Sequence, residues 1–216
     1  DKAEERILRE TNCWDELAHF FSLSCVGVDL YLVGPEISVS ETLNPSQQTG
    51  MGRHLYQGTS RDFFRNKPAL LAAASATAAT IVVGCNCGFG NFENPLPRRY
   101  QLLREWLPDL YFLSGTSLPL IFLCANDYAD LAGETAVMRA LLGARFLLVP
   151  QANPYSYAST LVAKLPGKSG KDKNQDFSQG NSFCYVVRGC DRSQRCPLNF
   201  QTPWEGRTGQ LATVLK

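Results

Sequence analysis

Histidine is scarce in this chain: of 216 residues only two are histidine, His19 and His54. They lie apart from each other and from the closely spaced cysteines, so a histidine-rich metal centre has little to build on. His19 falls within a helical apolar pattern and is expected to be packed. Long apolar runs are also missing. The longest charge-free stretch of the first half, residues 68–92, is diluted by Ala, Ser, Thr, Asn and Gly. It holds no continuous run of about 18 apolar residues, which excludes a spanning helix there. It reads instead as a buried helix followed by a buried strand, and a soluble protein without a membrane span is expected. No initiator Met and no signal-peptide pattern opens the chain, so it reads as processed or excised from something longer.

Standard catalytic signatures are absent too. Gly84, Gly88 and Gly90 follow an apolar strand, but their spacing is not G-x-G-x-x-G and no Lys-Ser/Thr follows. Pro95 and Pro97 delay the next helix, so these glycines fit a sharp backbone turn better than a phosphate cradle. The first strand ends in Val33-Gly34-Pro35-Glu36, where the proline removes an N–H that a cofactor loop would use. Ser114 and Ser117 flank Gly115 without forming a G-x-S-x-G elbow. Nothing places His54 beside a nucleophile. No catalytic residue, cofactor or metal is therefore assigned.

What is present is a core. Hydrophobic residues make up 44% and charged residues 19% of the chain, which rules out extensive disorder and suits an α/β domain. The net charge of +1 hides an asymmetry: residues 1–163 carry 12 Lys/Arg against 16 Asp/Glu, residues 164–216 carry 9 against 4. The first stretch is read as the α/β core domain, the second as a basic loop plus an edge strand of the same domain. Cysteines number eight. Cys25, Cys124 and Cys184 sit in apolar runs and read as small buried hydrophobes. Cys85-Asn86-Cys87 and the Cys190/Cys196 pair fit zinc-knuckle spacing poorly, so free thiols with no required disulfide are expected.

Periodicity orders the elements. Ile7, Trp14, Leu17, Ala18 and Phe21 recur at helical spacing over residues 1–24. Residues 28–33 form an apolar strand stopped at Gly34-Pro35, and residues 37–53 a polar loop. A second short strand covers residues 55–58. Thr59-Ser60-Arg61-Asp62 caps a helix containing Phe63 and Phe64, and residues 69–78 form a further helical segment. Residues 80–84 have no polar alternation, the signature of a central parallel strand. Residues 97–107 form a helix that Pro108 ends. Residues 118–123 are a strand. The helix after it is capped by Asp127 or Asp130, turns Leu131, Met138, Leu141 and Leu142 inward, and stops at Gly143. Residues 145–149 form the next strand, ended by Pro150. Residues 164–182 read as a mobile loop, and residues 183–188 as a last, antiparallel edge strand. This alternation predicts a Rossmann-like layered sheet, mostly parallel, with helices on both faces.

Ligands in such sheets bind beyond the carboxyl ends of the strands. The polar residues there are Glu36, Asn86, Asp127 and Asn153, the candidate ligand-binding set, although turn chemistry alone also places such residues at strand ends. A partner-binding set is read from the basic tail: Lys168, Lys171, Lys173, Arg192 and Arg195. It suits RNA or an acidic protein surface, or simply a solvated face.

Several segments, in order, resemble the C-terminal domain of the mitochondrial splicing suppressor family, which is shared with some MYND-type zinc-finger proteins. They are residues 28–36 (VDLYLVGPE), the strand 80–83 leading to Cys85-Asn86-Cys87-Gly88-Phe89-Gly90, residues 102–106, residues 118–127 (LPLIFLCAND), and Asn153-Pro154-Tyr155-Ser156. The resemblance covers residues 15–160. The sequence departs from the family pattern in its glycine-loop cysteines and in an Ala-rich insertion after Lys67-Pro68. The resemblance implies a Rossmann-like, methyltransferase-reminiscent domain with no established activity. It also implies an intracellular, mitochondrial setting in translation or respiratory-complex assembly. Two functions follow as expectations: a non-catalytic interaction domain within a larger assembly, or a ligand-binding, methyltransferase-like enzyme using the strand-end rim.

Overall fold

The structure, a computed structural model, describes residues 19, 27–37, 51–72, 80–91, 100–125, 130–154, 157–159 and 178–197. The opening amphipathic helix (apart from residue 19), the alanine-rich segment beyond residue 72, Asp127, Lys168, Lys171 and Lys173 lie outside the described residues. The chain forms two compact units, Asp1–Leu70 and Leu71–Lys216.

In the first unit β1 (Asp29–Gly34) pairs in parallel with β2 (Gly52–Gln57). Helix α1 (Ser60–Asn66) follows, and the Thr59 hydroxyl accepts the Asp62 N–H at 3.2 Å, as the sequence predicts. Phe63 and Phe64 are buried. Phe63 lies 5.3 Å, centroid to centroid, from both Tyr31 and Tyr56, tying the helix to both strands. Helix α2 (Ala69–Ala72) is a single turn. His19 is exposed rather than packed.

The second unit is built on a four-stranded sheet in the order β3–β4–β8–β5. Its strands are β3 (Val82–Cys85), β4 (Pro119–Cys124), β5 (Ala144–Ala152) and β8 (Phe183–Cys190). Between β5 and β8 a short antiparallel pair, β6 (Tyr157–Ser159) with β7 (Ser178–Gly180), forms a separate sheet. Helix α3 (Tyr100–Ser114) joins β3 to β4. Helix α4 (Ala132–Ala136), continued by a π-helical turn over Val137–Leu141, joins β4 to β5.

This arrangement overturns the Rossmann-like expectation. β3 and β4 are parallel, but β8 runs antiparallel to both β4 and β5 and lies between them. The residues expected at an antiparallel edge therefore form an interior strand, and β3, expected at the centre, is outermost in its sheet. The reason is that apolar content on both faces of a strand does not report lateral position. Tyr185 and Val187 are fully buried on the face that α3 covers, whereas Ile81 and Val83, on the other face, are each 53% exposed. Nor do the described residues place helices on both faces. The covered face carries Leu120, Phe122, Cys124, Tyr185 and Val187, all buried with Leu103, Leu107, Leu110 and Leu113 of α3 and with Met138 and Leu141.

Two boundaries also move. Pro108 lies inside α3 instead of ending it. Losing one N–H is outweighed because Leu110 and Leu113 continue the buried stripe past it. Likewise β5 runs through Pro150 to Ala152, and its ladder with β8 is irregular, the setting that tolerates proline. Gly143 does end its helix, at φ +57°.

Candidate functional site

The carboxyl ends of β3, β4 and β5 share one rim, as expected for strands of common direction. Asn86 follows β3 with φ +47°, and Asn181 precedes β8 with φ +57°. Asparagine tolerates this left-handed backbone better than most residues. The Asn86 N–H extends the β3–β4 ladder by donating to the Leu123 carbonyl at 2.7 Å. Its side-chain amide donates to Asn181 Oδ1 at 2.9 Å. Asn153, after β5, donates through its side chain to the Asn181 carbonyl and through its backbone to the Ser182 carbonyl, both at 2.8 Å. Asn86 and Asn153 are thus brought together by Asn181, a residue that sequence reasoning missed. Its signal was the Gly-Asn-Ser turn just before an apolar run. Glu36 is exposed in the first unit, in the turn closed by the Ile37 N–H on the Gly34 carbonyl at 3.2 Å.

Under the rim the loop Cys85–Gly90 folds onto the sheet. Phe89 is buried against Phe122 (centroids 5.8 Å, edge-on) and Trp106 (6.1 Å). The space beneath the loop is therefore filled by the chain's own aromatic ring. Gly90 and Gly133 meet backbone to backbone: a Cβ on Gly133 would lie 1.7 Å from the Gly90 carbonyl oxygen. This contact seats the loop on the first turn of α4, and both glycines are there for want of space.

Next to that contact is a fully buried carboxyl, Glu134. Its Oε2 accepts the Tyr185 hydroxyl at 2.8 Å and the Cys124 thiol at 3.2 Å. Its Oε1 has no hydrogen-bond partner among the described residues. Burial pushes the Glu134 pKa up to about 7, opposed by hydrogen bonds from Tyr185 and Cys124, with Asp130 adding to the rise and the Gly88 backbone opposing it. Burial and the facing carboxyl hold the Cys124 thiol far above its ordinary range, so this cysteine is not a nucleophile. Glu134 also escaped the sequence reading. Its signal was a charged residue on the inward stripe of Leu131, Met138 and Leu141.

The basic residues divide. Arg192 is exposed. Arg195 is half-buried: its guanidinium lies 4.2 Å from the Tyr111 ring centroid and hydrogen-bonds the Tyr111 carbonyl. The Tyr111 hydroxyl donates to the carbonyls of Leu141 (3.0 Å) and Cys196 (2.5 Å). The π-helical turn, with the Leu142 N–H on the Val137 carbonyl at 3.2 Å, also leaves the Leu141 carbonyl to accept the Cys196 N–H at 3.0 Å. Arg195 thus pins the segment after β8 onto α3.

Among the described residues Cys85, Cys87, Cys184, Cys190 and Cys196 are half-buried and not joined in disulfides, and no group of three metal-ligating side chains forms. Among the same residues no helix is long and apolar enough to cross a membrane. Compared with known protein families, with curated proteins and with solved structures, the chain gives no match.

Proposed function

We propose that this chain is a non-catalytic α/β interaction domain, a subunit or adaptor that docks a protein partner on the open face of its four-stranded sheet. One observation carries this reading. Ile81, just before β3, and Val83 on β3 are each 53% exposed, and Leu147 and Val149 on β5 are 61% and 59% exposed. Val83 is in register with Ile121, and Ile121 with Val186, so the open face continues as aliphatic side chains across the sheet. Leu147 alternates with Phe146, whose ring packs on Tyr185 of the covered face at 5.8 Å. Exposed aliphatics of this density mark an interaction surface. A partner that fits is itself apolar and uncharged where it touches, because none of these residues offers a charge or a hydrogen-bonding side chain. The filled space beneath the strand-end loop favours this reading over an enzyme that binds a methyl donor there. A mitochondrial setting, in translation or respiratory-complex biogenesis, rests on the family resemblance.

The test is affinity purification of the native protein, with the double substitution Val83→Lys and Leu147→Lys as comparison. The expected result is a stoichiometric protein partner that the substituted protein loses, at a melting temperature within a few degrees of the parent. A free monomer with no stable partner, or undiminished binding by the substituted protein, overturns the reading.

A further inference from the structure

The open face of the four-stranded sheet is not uniform along its strands. Its aliphatic part is Val83, Ile121, Val186, Leu147 and Val149. At the end away from the strand-end rim two arginines join it. Arg145 on β5 is exposed and alternates with Phe146, as Leu147 does. Arg188 on β8 is exposed, alternates with the buried Val187, and stands opposite Pro119 in the row beside Ile121. Phe146 pairs with Val187, so the two arginines are neighbours across adjoining strands on one face.

Like charges side by side on paired strands weaken a sheet, and an anion placed between them relieves it. Within the chain Asp191 acts on Arg145 while its carboxylate accepts the Ser193 N–H at 2.9 Å and the Ser193 hydroxyl at 2.7 Å. The Arg188 Nε donates to the Ser117 carbonyl at 2.7 Å, a neutral acceptor that leaves its charge in place. Strands β3, β4, β5 and β8 contain no Asp or Glu. A second copy laid face to face on this sheet would therefore bring arginines and no carboxylate. The opposite face shows what suits aliphatic strands of this length: a helix, α3, with Leu103, Leu107, Leu110 and Leu113 as its buried stripe.

Resting on the docking role given to this face, we propose that the partner segment is an amphipathic helix. Its aliphatic stripe covers the five aliphatic residues, and its last turn brings Asp or Glu to Arg145 and Arg188. The carboxyl end of a helix, with its free carbonyls and negative dipole pole, suits the arginine end of the sheet. The arginines thereby set the direction of the helix and reject a basic one, while the aliphatic contact supplies most of the affinity.

Two synthetic amphipathic peptides of about 18 residues test this. They share one stripe of Leu and Ala and differ only in carrying Glu or Lys in the last turn. Titrated into the full chain at low salt, the Glu peptide is expected to bind about tenfold tighter than its Lys twin, roughly threefold from attraction and the rest from repulsion. The gap closes to within about twofold in the double variant Arg145→Gln, Arg188→Gln. Arg145→Gln alone, which keeps the Ser117 contact, narrows the gap and serves if the double variant does not fold. Equal binding of the two peptides, or an undiminished gap in Arg145→Gln, overturns the acidic helix and leaves docking on the face standing. Sedimentation showing a dimer that the Glu peptide cannot dissociate gives the face to a second copy and overturns the helix as well. Peptide binding undiminished by Val83→Lys with Leu147→Lys, or no binding of either peptide, overturns the helix too. Partner loss in those lysine variants then decides separately whether the face docks a protein.

Discussion

Glu134 and Arg195 illustrate opposite uses of charge at the scale of single residues. The Glu134 pKa rises in the fold from the ordinary 4.5 to about 7. Between those values the folded protein holds a proton that the unfolded chain has released, so stability falls as pH rises through that window. The loss is on the order of 3 kcal/mol once pH passes neutrality. Glu134→Gln keeps the shape without the ionisation. Urea titrations are expected to show the parent losing stability from about pH 4.5 to about pH 7 while the variant does not. Arg195 is a positive charge already spent on the fold. Arg195→Ala is expected to cost about 1–3 kcal/mol through the lost Tyr111 contacts, whereas Arg192→Ala, on an exposed side chain, stays within about 0.5 kcal/mol. A neutral Arg195→Ala in chemical denaturation would show that the segment after β8 is held by Tyr111 and Leu141 alone.

Elements meet backbone to backbone at the Gly90–Gly133 contact, and substitution there is poorly tolerated. Gly133→Ala would set a methyl against the Gly90 carbonyl, and neither backbone can rotate away as a side chain would. The expected loss is at least about 2 kcal/mol, read as a lowered urea midpoint with unchanged slope. Strand β8 shows the same dependence at larger size. It bonds β4 on one side and β5 on the other, so its removal separates the sheet into β3–β4 and a lone β5. A chain ended before Phe183 is expected to lose cooperative unfolding and near-ultraviolet ellipticity. A cooperative transition in that fragment would mean that β4 and β5 can close on each other without it.

For the whole molecule the question is whether the apolar sheet face or the basic C-terminal stretch meets the partner. The two differ in their response to salt. Apolar docking changes little, within about threefold, as salt rises toward about half-molar. Phosphate contacts through Lys168, Lys171, Lys173 and Arg192 would give a steep log–log fall in affinity. We expect the shallow response, measured by titrating the purified partner at several salt concentrations, and a steep slope would move the interface to RNA and the tail.

Local pattern by itself determined the longer strands, because apolar runs such as residues 118–123 and 183–187 bury side chains in any arrangement; it missed β6 and also β7, which lies within residues 164–182, read as a mobile loop. It determined the Thr59 cap, the Gly143 stop and the inward stripe of α4, because these depend on neighbours three or four residues away. It also placed Asn86 and Asn153 at one rim, since strand direction follows from the alternation of strands and helices. Only the tertiary structure decided that β8 is interior, because the choice among strand neighbours rests on contacts across some sixty residues, such as Phe122 with Tyr185. The extension of α3 past Pro108 was settled by packing on the sheet, which outweighs one missing hydrogen bond. The pairing of Asn86 and Asn153 through Asn181, and of Glu134 with Cys124 and Tyr185, belongs to the same class. Each joins residues from separate elements, and a residue's local sequence carries no record of which distant group will share its burial.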